Sequence, residues 1–93
     1  MMDNPLRAAC APADLDTATK LERLYAAAVE ACWKAPSDRG LILTRAGLYA
    51  LDMLHAGDGV PFREARKRAG RFRRAIKAEV LAGPPGAQEK WVR

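Results

Sequence analysis

The stretch Pro61-Phe62-Arg63-Glu64-Ala65-Arg66-Lys67-Arg68-Ala69-Gly70-Arg71-Phe72-Arg73-Arg74-Ala75-Ile76-Lys77-Ala78-Glu79-Val80-Leu81-Ala82-Gly83-Pro84 decides how this chain folds. Turned through about 100° per residue, Phe62, Ala65, Ala69, Phe72, Ile76 and Val80 fall within a stripe roughly 80° wide. The stripe keeps one phase throughout, as a single helix requires. Pro61 has a fixed φ and no amide hydrogen to lose, which suits a first helical position, while Gly83 and the prolines after it end the helix. The spacing predicts one helix over residues 61–82. Beside its apolar stripe, Arg63, Arg66, Lys67, Arg73, Arg74 and Lys77 gather in a sector about 120° wide. Gly70 lies among them, with Arg68 and Arg71 towards the edges.

Working back from this helix, Gly57-Asp58-Gly59-Val60 reads as a turn, with Gly57 suited to a left-handed residue closing the preceding helix. That helix is predicted over residues 45–56. Thr44 is its cap, Leu43 and Leu48 form a hydrophobic staple, and Leu48, Leu51, Met53 and Leu54 supply the buried face. Ala35-Pro36-Ser37-Asp38-Arg39-Gly40 is rich in turn formers and makes the first connection. Before it, Leu15, Ala18, Leu21, Tyr25, Ala28 and Cys32 step by three or four residues, with Leu24, Val29 and Trp33 widening the stripe. Asp14 caps this helix, Asp16 sits in its first turn, and Pro36 stops it, giving a helix over 14–34. Residues 1–13 read as an irregular N-terminal arm and 83–93 as a C-terminal tail carrying Trp91. The expected fold is all-α: a small bundle of three main helices within one domain, residues 14–82.

Size and composition narrow the function. A chain of 93 residues, 49% hydrophobic and 29% charged, has room for one small globular domain and not for a large catalytic fold. No acid pair, nucleophile with base, phosphate-cradling glycine loop or zinc-ligand spacing stands out, so no catalytic residue, cofactor or metal is assigned. His55 stands near Asp52 but has no nucleophile at an interpretable spacing, since Ser37 is the one serine; it reads as a helix-end residue. Cys10 and Cys32 allow one disulfide at most, and the simpler reading is a reducing cytoplasm. No apolar run reaches membrane-spanning length, and no export signal is visible.

The charge is lopsided. Met1 to Asp58 carries six basic and eight acidic residues, whereas Gly59 to Arg93 carries ten against three. Eight of the sixteen basic residues fall between Arg63 and Lys77. A run of Arg and Lys on a helix is most often a solvated face. So many like charges repel one another, however, unless a partner or acids from the first helix relieve them. Arg63, Arg66, Lys67, Gly70, Arg71, Arg73, Arg74 and Lys77 are therefore the candidate contacts to nucleic acid, DNA or RNA, or to an acidic protein surface. Trp91 is a candidate interface anchor, and so thin a core leaves a homodimer open.

From Gly59 to Gly70, and on to Ile76, the chain resembles the helix-turn-helix of small bacterial and phage DNA-binding proteins. That resemblance implies a turn at Gly70 and a second helix anchored by Ile76. It implies that Arg71, Arg73, Arg74 and Lys77 meet the major groove or phosphates. The sequence thus predicts a non-enzymatic nucleic-acid-binding or regulatory protein. The rival reading is a small phage- or plasmid-type interaction module inhibiting a host nucleic-acid-processing complex, anti-CRISPR-like in character. A membrane-surface role is weaker, because the apolar stripe of the basic helix is needed for the core.

Overall fold

The computed structural model describes residues 15–84. It consists of three helices, α1 (Leu15–Lys34), α2 (Arg39–Asp52) and α3 (Phe62–Ala82), and no strand occurs among the described residues. A 3₁₀ turn, Pro36–Asp38, joins α1 to α2, and a π-helical turn, Met53–Gly57, leads out of α2. The all-α three-helix bundle expected from the periodicity is what forms. Asp14, Cys10 and Trp91 lie outside the described residues.

The core follows the helical stripes. Leu21, Cys32, Leu54, Phe72 and Ile76 are its largest fully buried side chains, each worth very roughly 1.5–3 kcal/mol of transfer free energy if aliphatic or aromatic. α1 contributes Ala18, Leu21, Ala28, Val29 and Cys32, with Tyr25 and Trp33 half-buried beside them. Both aromatic residues also tie α1 to α3. The Tyr25 ring meets Phe72 edge-on, with centroids 5.9 Å apart, a favoured orientation for two ring quadrupoles. Its hydroxyl lies 3.1 Å from the Ala75 carbonyl and 3.1 Å from Glu79 Oε1, two acceptors for one proton. Trp33 Nε1 donates to the Val80 carbonyl at 3.2 Å.

α2 begins earlier than expected, at Arg39. The turn residues do not make an open loop: Pro36 starts a 3₁₀ turn in which the Asp38 N–H donates to Ala35 O at 3.0 Å, and the chain runs straight on into helix. Gly40 is then a helical residue, which costs about 1 kcal/mol relative to Ala. Burial of Leu43, at about 1.5–3 kcal/mol, outweighs it. Thr44 is consequently no cap; its hydroxyl donates to Gly40 O, 2.8 Å away and four residues back. The staple is not formed either, because Leu43 is buried whereas Leu48 is 60% exposed. Leu43, Ala46, Ala50 and Leu54 make the inner face, while Leu51 and Met53 are only partly buried.

The exit from α2 also differs. In the π-helical turn the Asp58 N–H donates to Met53 O at 3.0 Å, and the Val60 N–H reaches Leu54 O at 2.9 Å. This wider turn delays the reversal of the chain, so the left-handed residue is Gly59 (φ 72°), not Gly57. His55 Nδ1–H donates to Val60 O at 2.9 Å and steadies the same turn. Pro61 serves as the N-cap residue of α3 rather than its first helical residue, with extended ψ of 141°.

α3 is one uninterrupted helix from Phe62 to Ala82, as the single phase of its stripe requires. Gly70 lies within it at negative φ, so the turn implied there by the helix-turn-helix resemblance is not formed. Ala65, Ala69, Phe72, Ile76 and Val80 are buried, but Phe62 is 52% exposed and leans edge-on against His55, 5.5 Å between centroids. Phe62 stands at the start of the helix, where α3 has only just emerged from the turn. The helix ends at Gly83, whose φ of 88° favours glycine.

Candidate nucleic-acid interface

α3 is gripped on two flanks, and what these leave uncovered is the basic sector. Tyr25 and Trp33 of α1 reach the flank carrying Phe72, Ala75 and Glu79. α2 lies along the opposite edge, where the Arg73 stem passes Gly47. Arg63, Arg66, Lys67, Arg71, Arg73, Arg74 and Lys77 are all exposed on the remaining face. None of the seven has an acidic partner among the described residues. Gly70, the remaining candidate, is half-buried, and the Arg74 guanidinium folds towards it.

The acids of α3 stand elsewhere. Glu64 pairs with Arg68 at 3.2 Å, one helical turn apart, and Glu79 faces Tyr25. Arg68 is half-buried in that pairing and is thereby separated from the seven exposed cations. Asp16 and Glu30 of α1 pair within their own helix, with Lys20 at 3.8 Å and Lys34 at 2.8 Å. The latter pairing lowers the Glu30 pKa and raises that of Lys34.

The cations form two rows. Arg66, Arg73 and Lys77 run along the edge nearest α2, and Arg63, Lys67, Arg71 and Arg74 lie further out. From Arg63 to Lys77 the array is about 21 Å long at 1.5 Å per residue. Neighbours of like charge three or four residues apart each cost about 0.2–0.5 kcal/mol. An anionic chain laid along the face removes that cost and releases its own counterions.

Beside the inner row lies a feature that sequence reasoning missed. A shallow groove of about 230 Å³ separates α2 from α3, with Thr44, Gly47, Leu48 and Leu51 on one wall. Arg66, Ala69, Gly70 and Arg73 form the other. Placing Leu48 on the buried face of α2 conceals this wall, because Leu48 is in fact 60% exposed. The signal was nevertheless present: Leu43, Ala46, Ala50 and Leu54 step by three and four residues and compete with the stripe built on Leu48.

Other reactive groups have structural surroundings. Cys32 is a free thiol, fully buried, and its pKa is pushed up by burial, partly offset by the Arg39 charge. Burial, reinforced by the Glu79 carboxylate, raises the Tyr25 phenol to about 12. Among the described residues no cluster of His, Cys, Asp and Glu is arranged to hold a metal ion, and no helix is long and apolar enough to cross a membrane. Compared with known proteins, the chain matches no family model, no curated sequence and no solved structure.

Proposed function

We propose that this is a non-enzymatic nucleic-acid-binding protein whose third helix lays Arg63, Arg66, Lys67, Arg71, Arg73, Arg74 and Lys77 along a phosphate backbone. One observation carries the reading: seven cations stand exposed on one continuous helical face with no acid partner among the described residues. A merely solvated face has no need to segregate its acids. Here Glu79 is turned to Tyr25 on the opposite side of the helix, and Glu64, at the border of the basic face, is taken up by Arg68. Because α3 is unbroken through Gly70, the reading is of backbone tracking, which needs no recognition helix held apart from a supporting one.

The test is fluorescence anisotropy with labelled duplex DNA, single-stranded DNA and hairpin RNA, at low and near-physiological salt. It compares the natural chain with an Arg73→Glu, Arg74→Glu, Lys77→Glu variant. A duplex can face only part of so wide a sector, so about four phosphates are met at once, giving log Kobs a slope near −3.6 against log salt. The variant loses about two to three units of that slope and most of the affinity. Absence of binding by the natural chain even at low salt overturns the proposal and turns the search to an acidic protein surface.

A further inference from the structure

Phosphate tracking needs cations alone, yet the inner row of α3 stands on the rim of an apolar groove. Leu48 is 60% exposed there, Leu51 and Ala69 line it beside Leu48, and Gly47 and Gly70 face the space from opposite helices, the first beneath the Arg73 stem and the second beside the Arg74 guanidinium. Arg66 and Arg73 are seven residues apart, about 10 Å along the helix axis, on either side of Gly70. The Arg73 stem passes Gly47 with Cδ 3.7 Å from where a Cβ would stand, so the aliphatic part of this exposed side chain extends the apolar wall.

This combination matches one part of a nucleic acid. An unpaired nucleotide offers an apolar base face with phosphates before and after it; in an intact duplex the faces are stacked and the edges paired. We infer that the groove between α2 and α3 accepts an unpaired nucleobase against Leu48, Leu51 and Ala69 while Arg66 and Arg73 hold the flanking phosphates. The preferred substrate is then single-stranded or looped nucleic acid, not uninterrupted duplex. The inference rests on the nucleic-acid reading above and narrows its substrate class.

Three probes of twelve nucleotides per strand separate the contributions: oligo-dT, a strand of the same phosphate count made of abasic sugars, and a duplex. Each is titrated at near-physiological salt, and again at low salt, with the natural chain and with two charge-preserving variants. Gly70→Leu fills the groove and Leu48→Ala strips one wall; Leu48 is so exposed that its variant keeps the fold even if Gly70→Leu does not, and a thermal melt verifies both.

The natural chain is expected to hold oligo-dT about five- to tenfold more tightly than the abasic strand, a margin set by the apolar base face that the aliphatic groove takes out of water. Gly70→Leu should erase that margin and Leu48→Ala should cut it about two- to threefold, both with the salt slope unchanged. Equal affinity for oligo-dT and the abasic strand, or an undiminished margin in whichever of the two variants folds, overturns the groove inference while leaving the phosphate-tracking face intact. Failure to bind any probe at low salt overturns both and leaves the groove to an apolar side chain of an acidic protein.

Discussion

Replacing Gly70 by Ala tests the central structural feature, the continuity of α3. Gly70 lies in the middle of the helix at negative φ, where glycine is about 0.8–1.0 kcal/mol worse than Ala. A Cβ built there meets only Nη1 of Arg74, at 3.5 Å, an ordinary contact with the far end of a flexible side chain. No steric penalty offsets the gain, so Gly70→Ala should stabilise the fold by about 0.5–1 kcal/mol. For a domain of this size that raises Tm by about 3–7 °C. Gly59→Ala is the control. Its Cβ would meet nothing within 4 Å, but the backbone holds φ at 72°, so the cost is conformational alone, about 1–2 kcal/mol. Thermal and urea unfolding followed by circular dichroism reads both variants on one scale. If Gly70→Ala lowers Tm, the helix does not run straight through Gly70 and a turn there, as in a helix-turn-helix, becomes the better description. If Gly59→Ala is neutral, the exit from α2 is wrongly understood.

Four further outcomes follow from the packing. Leu43→Ala should cost about 2–5 kcal/mol, whereas Leu48→Ala should stay within about 0.5 kcal/mol, a difference in urea midpoint that fixes the register of α2. Phe72→Ala, which empties the centre of the core beneath Tyr25, should cost about 3–5 kcal/mol and lower Tm accordingly. Tyr25 is held protonated in the fold to about 12 against an ordinary value of 10.0. Its contribution is present below pH 10 and is lost as pH rises towards 12, because the unfolded chain gives up that proton first; Tyr25→Phe should flatten that part of the stability–pH curve. In a Cys10→Ser background, Cys32 should react with a thiol reagent only after denaturant opens the core, since it is fully buried with its pKa raised by burial.

Much of this protein is determined by its sequence alone. The stripe from Ala65 to Val80 has a single phase, and only a continuous helix places all five of its buried residues on one side. The same periodicity that sends Phe72 and Ile76 inward sends Arg63, Arg66, Lys67, Arg74 and Lys77 outward, so the basic face was legible with the core. α1 was legible for the same reason, with Leu21, Ala28 and Cys32 inside it.

The tertiary structure decided what competing local signals left ambiguous. Pro36, Ser37, Asp38 and Gly40 have turn chemistry, yet the burial of Leu43 and Ala46 against the other helices draws the segment from Arg39 onward into α2. Thr44 has cap chemistry, but a cap requires a helix to start there, and packing started it earlier. Gly57 and Gly59 both suit a left-handed residue; the π-helical turn settled the choice by holding back the reversal of the chain. Local propensities amount to about 1 kcal/mol per residue or less, whereas burying one Leu is worth about 1.5–3 kcal/mol. Where the two disagreed, burial set the boundary, turned Leu48 outward and so opened the groove beside the arginines, a feature that exists only once two helices have packed together.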